Sequence, residues 1–478
     1  MTISSAFNNA TGGLSASARM AEVVSSNLSN SLTEGYGRRE VNLSSGLLGG
    51  VVLDGISRVV DPGILRDRRT ADADVGSKQR GAQVLSQLEQ AFGPAGDPSG
   101  VVGRLAALEQ SLISASSRPS SDQRLNIVFS GLEGVTTAPH SDADAIQIQR
   151  QDADKAITAD VKTLNSTLLQ IEKLNADVSR LIGSGNDPSP VFDARQNAID
   201  RLTSIVPLTE INRGRGQVAL YTRSGVALID GAPATFGFAP TGTIVAEMTL
   251  VSGALSGVTL NGEPLDLANG YGRMKGGSLE AAFTLRDQTL VGLQANLDKV
   301  AADLVKRFER PVTDPTLTLG DPGLFLDHNG AFDPLNIDGL SSRITVNTSV
   351  DPSEGGALSR LRDGVNATAS GPTGDNSQLH RWLSALDDPI ALSVGGIARS
   401  AIEHGSDQVA TVGRLRLNAE ESLGFEIARY DSLKSAELSG GVDSDQELQR
   451  LLRIEQSYAA NARVLQTLDA MMSRLLEI

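Results

Sequence analysis

The side chains that most often carry out catalysis are sparse in this chain, and their spacing does not suit it. His140, Ser141 and Asp142 are the three residue types of a hydrolase triad, but sequence neighbours cannot adopt the geometry that a triad requires. We expect them to lie in a polar loop. No histidine has a second histidine three to five residues away, as a zinc-binding helix would need. The four histidines are His140, His328, His380 and His404.

Two further patterns could bind ligands. Oxygen ligands occur at short spacing between residues 327 and 338, so a calcium ion is conceivable, although the glycine and glutamate positions of an EF-hand do not match. The alternative is that these residues form turns. Gly214-Arg215-Gly216 lacks the third glycine of a dinucleotide-binding fingerprint, and we expect it to connect two strands. We therefore predict no catalytic, cofactor-binding or metal-binding residues. The candidate calcium ligands are Asp327, Asn329, Asp333 and Asp338.

Composition narrows the possible functions. The 478 residues include 42 Lys and Arg against 57 Asp and Glu, so the formal net charge is 42 − 57 = −15. This charge disfavours binding to nucleic acids or anionic lipids, because such binding depends on basic side chains. The chain contains 0 Cys, which excludes disulfides, thiolate metal sites and cysteine nucleophiles.

No segment has the apolar length or pattern of a membrane span or a cleaved export signal. The longest apolar stretches, such as residues 49–56, are far shorter than the ~20 residues that a transmembrane helix needs. The first residues lack a basic region followed by an uninterrupted apolar run. We therefore expect that export, if it occurs, does not use a cleaved signal peptide.

Heptad-spaced residues at both ends of the chain predict two long helices, over residues 1–31 and 444–478. Each helix presents a narrow seam that it cannot bury alone, so we expect the two helices to pair as a coiled coil. Gly12 and Gly13 should weaken the first helix, and Asn461 should fix the register of the pair. The seam consists of Ile3, Phe7, Ala10, Leu14, Ser17, Ala21, Val24 and Leu28 in the first helix, and of Leu451, Ile454, Tyr458, Asn461, Leu465, Leu468, Met472 and Leu475 in the second.

The middle of the chain predicts a mainly α protein with an inserted β domain. Helical periodicity occurs within residues 105–113, 143–182, 279–304 and 398–438, which favours an elongated, multidomain helical bundle. Residues 207–275 instead contain short β-branched runs, with turn signals at Asp230-Gly231 and Asn261-Gly262. Residues 311–396 are loop-rich, with a strand expected at 343–350 and a short helix at 379–386.

These elements suggest three structural units. The first is a terminal coiled-coil domain formed by residues 1–65 and 438–478. The second is a helical bundle formed by residues 66–206 and 276–437, and the third is the inserted β domain, residues 207–275.

The segment Ser26 to Arg39, SNLSNSLTEGYGRR, resembles the N-terminal signature of flagellar rod, hook and hook-associated axial proteins. Within that group, Arg38 after Gly-Tyr-Gly is similar to the flagellar hook-associated protein 1 (FlgK) family. Leu28, Ser29 and Glu34 depart mildly from the usual pattern. The matching residues are Asn27, Asn30, Thr33, Gly35, Tyr36 and Arg38.

Two other segments resemble the same family. The C-terminal segment 451–478 is close to the family's ending, and residues 343–364, together with Gly323-Leu324-Phe325, resemble an internal segment. Residues 441–447 depart from the family's usual sequence. The C-terminal residues that carry the likeness are Gln456, Tyr458, Ala460, Asn461, Ala462 and Arg463.

The resemblance implies a structural subunit, without enzymatic activity, that self-assembles between the flagellar hook and the filament. The resemblance also implies that the terminal helices form an inner tube and that export proceeds without a cleaved signal. The implied partners are other copies of this chain, the hook protein, a second junction protein towards the filament and a cytoplasmic chaperone at the C-terminal helix. Alternatives are another axial protein such as the hook or distal rod subunit, a secreted adhesin, or a hydrolase with flagellar-type ends.

Overall fold

Long helices dominate the computed structural model, which describes residues 3–33, 35–46, 49–94, 96–265, 274–328, 330–393 and 395–476. Both predicted end helices are present, as α1 (Ile3–Ser29) and α11 (Ser444–Leu476). Gly13 of α1 lies beside Asn461, and Arg38, which follows α1, approaches Glu447 in the first turn of α11. The two helices therefore lie side by side in antiparallel directions.

The body of the molecule consists of five long helices and several short ones. The long helices are α2 (Pro62–Phe92), α3 (Val101–Ser116), α4 (Asp122–Gly183), α7 (Leu290–Phe308) and α10 (Ala401–Ser439). The shorter ones are α5 (Ser189–Thr203), α6 (Gly277–Thr284), α8 (Arg360–Asp363) and α9 (Ser377–Asp387). The 62 residues of α4 correspond to roughly 90 Å at 1.5 Å per residue, so the fold is elongated.

Local sequence explains where several helices begin. The carboxylate of Asp61 accepts hydrogen bonds from the backbone N–H groups of Gly63 and Ile64, and Pro62 occupies the first helical position of α2. At the start of α10, Ser400 and Glu403 form a capping box. The periodicity of the sequence did not reveal α2 or α5.

Residues 140–142 lie inside α4, so the predicted polar loop is wrong. The helix continues through Pro139 because α4 packs against other elements on both sides of this point, and Pro139 itself is buried. His140 is held by its Nε2, which lies 2.8 Å from the carbonyl oxygen of Ile344. It has a structural role at the contact between α4 and the loop-rich segment.

Small antiparallel sheets interrupt the helices. Strands β3 (Leu208–Gly214), β4 (Gln217–Thr222), β5 (Ala227–Asp230) and β6 (Ala232–Pro233) form one sheet. Strands β7 (Phe236–Gly237), β8 (Thr259–Leu260) and β9 (Glu263–Pro264) form another. Residues 214–216 join β3 to β4 as expected, and both predicted hairpin turns are present, with positive φ at Gly231, Asn261 and Gly262.

Two other β elements differ from the sequence expectation. Residues 38–59 form a hairpin of β1 (Arg38–Ser45) and β2 (Val51–Val59), which was not predicted. The strand expected at 343–350 is shorter: β11 (Ile344–Val346) pairs with β10 (Phe325–Asp327). The side chain of Asn347 then accepts a hydrogen bond from the N–H of Ser349 and starts a 3-10 turn, which ends the strand.

The apolar core is divided among three clusters along the body. One surrounds Trp382, whose Nε1 donates to the carbonyl oxygen of Leu361 at 3.0 Å. A second joins the middle of α4 to α5, α6 and the β3–β6 sheet. The third lies between the end of α2, residues 285–297 and Val412 of α10. The body is therefore packed within a single chain.

Candidate functional site: the terminal helix pair and its anchor

The predicted seam separates into two rows, of which one is buried within the chain. Ala10, Ser17 and Val24 are buried at seven-residue spacing on α1. Across from them on α11, Glu447, Ile454 and Leu468 are buried at multiples of seven, with half-buried Asn461 between. One face of each helix is thus covered by the other helix.

The second row of the seam is left partly uncovered. Phe7 is 48% exposed, and Tyr458 and Met472 are each 49% exposed. The remaining members are half-buried: Ile3, Leu14, Ala21, Leu28, Leu451 and Leu465. The side chain of Leu475 lies outside the described residues. Since exposed large apolar side chains along a helix pair mark an interaction surface, this row is available for a further partner.

The close approach of the two helices depends on Gly13. A Cβ atom at this position would lie 2.6 Å from Nδ2 and 2.9 Å from Cγ of Asn461. The glycine that weakens α1 on its own therefore makes room for the polar residue of the opposite helix. This complementarity between Gly13 and Asn461 fixes one register of the pair.

The N-terminal motif forms a compact anchor after α1. Asn27 is fully buried and makes three hydrogen bonds: its Nδ2 donates to the carbonyl oxygen of Arg39 at 2.9 Å, and its Oδ1 accepts from the Tyr36 hydroxyl at 2.9 Å and from the Arg39 N–H at 3.0 Å. The Arg39 guanidinium lies 4.8 Å from the centre of the Tyr36 ring. Asn27 therefore holds the end of α1 to the start of β1.

The other motif residues support this turn. The Asn30 side chain donates to the carbonyl oxygen of Ser26 at 2.9 Å, and Thr33 Oγ1 lies 3.3 Å from Asn30 Oδ1. Gly35 has a φ of 75°, and a Cβ there would lie 1.7 Å from Oδ1 of Asn197 in α5. Only glycine satisfies both the conformation and the close contact.

Charged residues connect the anchor to the body and to α11. Asp193 of α5 accepts a hydrogen bond from Gly37 N–H and pairs with Arg39 at 3.1 Å and with Arg58 at 2.6 Å. Arg38 lies 2.9 Å from Glu40 and 3.8 Å from the buried carboxylate of Glu447. Sequence reasoning identified Arg38 but missed Asp193 and Arg58, since nothing in their spacing links them to the N-terminal motif.

The C-terminal motif residues mostly face away from α1. Gln456, Ala460 and Arg463 are exposed, and Ala462 is half-buried. Of this motif only Asn461 has a contact with α1 that explains its residue type. Gln456, Tyr458, Ala460 and Arg463 lie on surface that the single chain leaves open.

The candidate calcium ligands do not converge. Asp327 is paired with Arg343, whose Nε lies 3.0 Å from Oδ1, and Oδ1 of Asp333 accepts the N–H of Leu335. Asn329 lies outside the described residues. Across the described ranges, no group of three His, Asp or Glu side chains is arranged to hold a metal ion, and no helix is long and apolar enough to cross a membrane.

Comparison with known proteins shows what this chain is similar to. Residues 85–314 match the model of the flagellar hook-associated protein FlgK helical domain, and residues 439–478 match the flagellar basal body rod FlgEFG protein C-terminal model. Flagellar hook-associated protein 1 of Salmonella typhimurium is 24% identical over 561 aligned positions, which cover 100% of both chains. The chain is similar to the FlgK family over most of its length. It is a structural protein of the bacterial flagellum, at the junction of hook and filament.

Two further similar proteins come from other bacteria. Flagellar hook-associated protein 1 of Bacillus subtilis is 20% identical, over 97% of this chain and 96% of that protein. The solved structure of the flagellar hook junction protein FlgK from Burkholderia pseudomallei is 16% identical, covers 54% of this chain and 46% of its own, and has a TM-score of 0.44. The family likeness extends along the whole chain and includes both ends.

Proposed function

We propose that several copies of this chain assemble through their terminal helices into a tube wall, with α1 and α11 forming an antiparallel coiled coil. The observation that carries this proposal is the division of the seam. One row is buried within the chain, and the other exposes Phe7, Tyr458 and Met472. Neighbouring copies supply the apolar surface that a two-helix pair cannot provide for itself.

The three predicted units have separate roles in this proposal. The terminal domain, residues 1–65 and 438–478, lines the inner tube. The bundle, residues 66–206 and 276–437, surrounds it, and residues 207–275 project outwards. The assembled zone contacts the hook protein on one side and a second junction protein on the other. Before export without a cleaved signal, the exposed C-terminal row binds a cytoplasmic chaperone.

We also infer that the protein has no enzymatic activity. Neither histidine with a described hydrogen bond is placed for proton transfer, because Nε2 of His140 and of His404 each lie against a backbone carbonyl oxygen. In the loop-rich segment, Asp327 is paired with Arg343, and Asp333 accepts the N–H of Leu335. These contacts argue against the hydrolase alternative.

Electron microscopy of a deletion strain, combined with an assay for flagellin in the medium, tests the junction role. We expect hooks without filaments and shed flagellin. Complete filaments in the deletion strain would contradict the proposal.

Complementation of this strain tests the exposed row. Met472→Asp should give a folded protein that does not restore filaments, because the charge would be buried unpaired in the assembly. Val251→Asp is the matched control, since Val251 is 99% exposed and lies outside the terminal helices. Normal filaments with Met472→Asp would show that this row is not an assembly surface.

A further inference from the structure

A cavity of about 230 Å³ lies where the β1–β2 hairpin meets the body. Its wall combines side chains from four places in the chain: the end of β2, the first turns of α2, one face of α5, and β3. The lining residues are Arg58, Val60, Leu65, Arg69, Phe192, Arg195, Gln196, Ile199 and Glu210.

The wall of this cavity carries more positive than negative charge. It contains three arginines, and Glu210 is its only carboxylate. Arg58 is paired with Asp193, which lies outside the cavity wall and also serves Arg39. Three guanidinium groups therefore surround one small cavity.

Arg195 has no carboxylate partner among the described residues. Its Nη1 donates to Oδ1 of Asn175 at 2.9 Å and to the carbonyl oxygen of Gly216 at 2.5 Å, which are both neutral acceptors. The residue is 7% exposed. Burial, and then the repulsion of Arg58 and Arg69, outweigh the attraction of Glu210 and lower the pKa of Arg195. Its guanidinium also lies 5.1 Å from the centre of the Phe192 ring. A buried cation without a carboxylate partner is costly, so this site favours an anion.

Arg69 adds an unused donor. Its Nε donates to Asp200 at 2.7 Å and its Nη1 to Glu210 at 2.8 Å, while Nη2 is buried and has no hydrogen-bond partner among the residues that the structure describes. Arg69 is 5% exposed. A buried donor that lacks an acceptor is rare in folded proteins and needs an explanation. A ligand oxygen in the cavity would satisfy it.

We propose that this cavity binds a small oxyanion of the phosphate class, held by Arg58, Arg69 and Arg195. Planar guanidinium groups match the geometry of tetrahedral oxyanions and form short, charge-assisted hydrogen bonds with them. The bound anion would connect the hairpin, α2, α5 and β3, and so stiffen the connection between the terminal helices and the body. All of the residues that line the cavity belong to one chain, so this proposal does not depend on where the protein assembles.

Binding is tested with inorganic phosphate and the purified full chain. Isothermal titration calorimetry and thermal unfolding are measured in phosphate and in chloride at matched ionic strength. We expect heat of binding at one site and a Tm that rises with phosphate concentration. No binding heat in the wild-type protein would overturn the proposal.

Two arginine variants on α5 separate site binding from general salt effects. Arg195→Gln should weaken phosphate binding about tenfold. Arg201→Gln, on an exposed residue of the same helix, should leave it unchanged. Phosphate also stabilises proteins by exclusion from their surface, which would raise the Tm of all variants equally. An equal shift in both variants would overturn the proposal.

A third variant keeps the proposal testable if Arg195→Gln does not fold. Glu210→Gln removes the one negative charge of the wall but retains an oxygen that can accept from Arg69. It should therefore bind phosphate several-fold more tightly than the wild type. A misfolded protein cannot produce tighter binding. Unchanged or weaker binding by folded Glu210→Gln would contradict the proposed role of the cavity.

Discussion

The helical body and the terminal helix pair differ in how completely they bury their side chains. In the body, even charged side chains are enclosed: Arg286 and Arg307 are fully buried, each paired with a buried aspartate. In the terminal pair, large apolar side chains such as Phe7 and Met472 remain about half exposed. The body buries its core within one chain, whereas the terminal pair leaves large apolar side chains exposed.

Arg150 and Arg286 show how the body reaches this closure. Arg150 donates to the carbonyl oxygens of Arg286 and Val245 at 3.0 Å and also to that of Met248. Arg286 reaches the carbonyl oxygen of Ser256 at 2.9 Å. Both arginines thus tie the irregular segment between β7 and β8 to α4, with no regular secondary structure required there. Mutations should therefore affect stability in the body and assembly at the ends.

The largest expected effect on stability comes from breaking a buried pair in the body. Arg286→Ala leaves Asp154, which is 1% exposed, without its partner. Removing one member of a buried ion pair costs about 3–5 kcal/mol. Urea denaturation of the purified chain should show this loss in the free energy of unfolding.

A surface pair on α4 provides the control for Arg286→Ala. Arg180 and Asp177 form an exposed pair three residues apart, so Arg180→Ala should change stability little. Equal effects of the two substitutions would mean that burial does not distinguish the body's ion pairs.

Replacing Asp142 by asparagine should increase the stability of the body. Burial raises the pKa of Asp142 to about 7. A carboxyl whose pKa is higher in the folded than in the unfolded state destabilises the fold as the pH rises from about 4 to 7. Asp142→Asn should therefore stabilise the protein by up to about 4 kcal/mol at pH 7.5, and the gain should vanish near pH 4.

Denaturation of Asp142→Asn at several pH values checks whether its stabilising effect grows as the pH rises. Asp144→Asn makes the same chemical change at an exposed position of the same helix and serves as the matched control. A stabilisation by Asp142→Asn that is the same at pH 4 and pH 7.5 would be inconsistent with titration of this group.

Sequence periodicity predicted the elements better than their contacts. The seam spacing located α1 and α11 to within two residues of their described ends. It could not show which row faces the other helix, because both rows have the same seven-residue spacing. The burial of Arg286 was also hidden, since a π-helical turn at Leu285–Thr289 changes the helical phase at that point.

The anchor was found by resemblance, and its physical role required the structure. Asn27 and Gly35 belong to a motif, but their partners come from β1 and α5, which the sequence did not place nearby. The hairpin at residues 38–59 escaped prediction because its strands carry no regular alternation of buried and exposed residues.

Asn27→Ala tests the connection between the two regions. The substitution leaves the N–H of half-buried Arg39 and the Tyr36 hydroxyl without their acceptor. We expect a loss of about 2–3 kcal/mol in the local opening free energy, measured by amide hydrogen exchange in β1 and at the end of α1. Asn8→Ala, at an exposed position of the same helix, should leave this exchange unchanged. If both variants showed the same protection from amide exchange, Asn27 would not be holding the end of α1 to β1.

The smallest expected effect comes from the neighbouring glycines of α1. Gly12→Ala should stabilise the helix by about 1 kcal/mol, because alanine favours a helix more than glycine does. The added Cβ fits, since it would lie 3.4 Å from the carbonyl oxygen of Val51. Gly13→Ala should reverse this gain, since its Cβ would overlap Asn461, and adding Asn461→Ala should restore it. Hydrogen exchange of α1 amides measures all three variants. If Gly12→Ala and Gly13→Ala protect α1 equally, the pair does not depend on the Gly13–Asn461 contact, and its register must be set by the apolar rows alone.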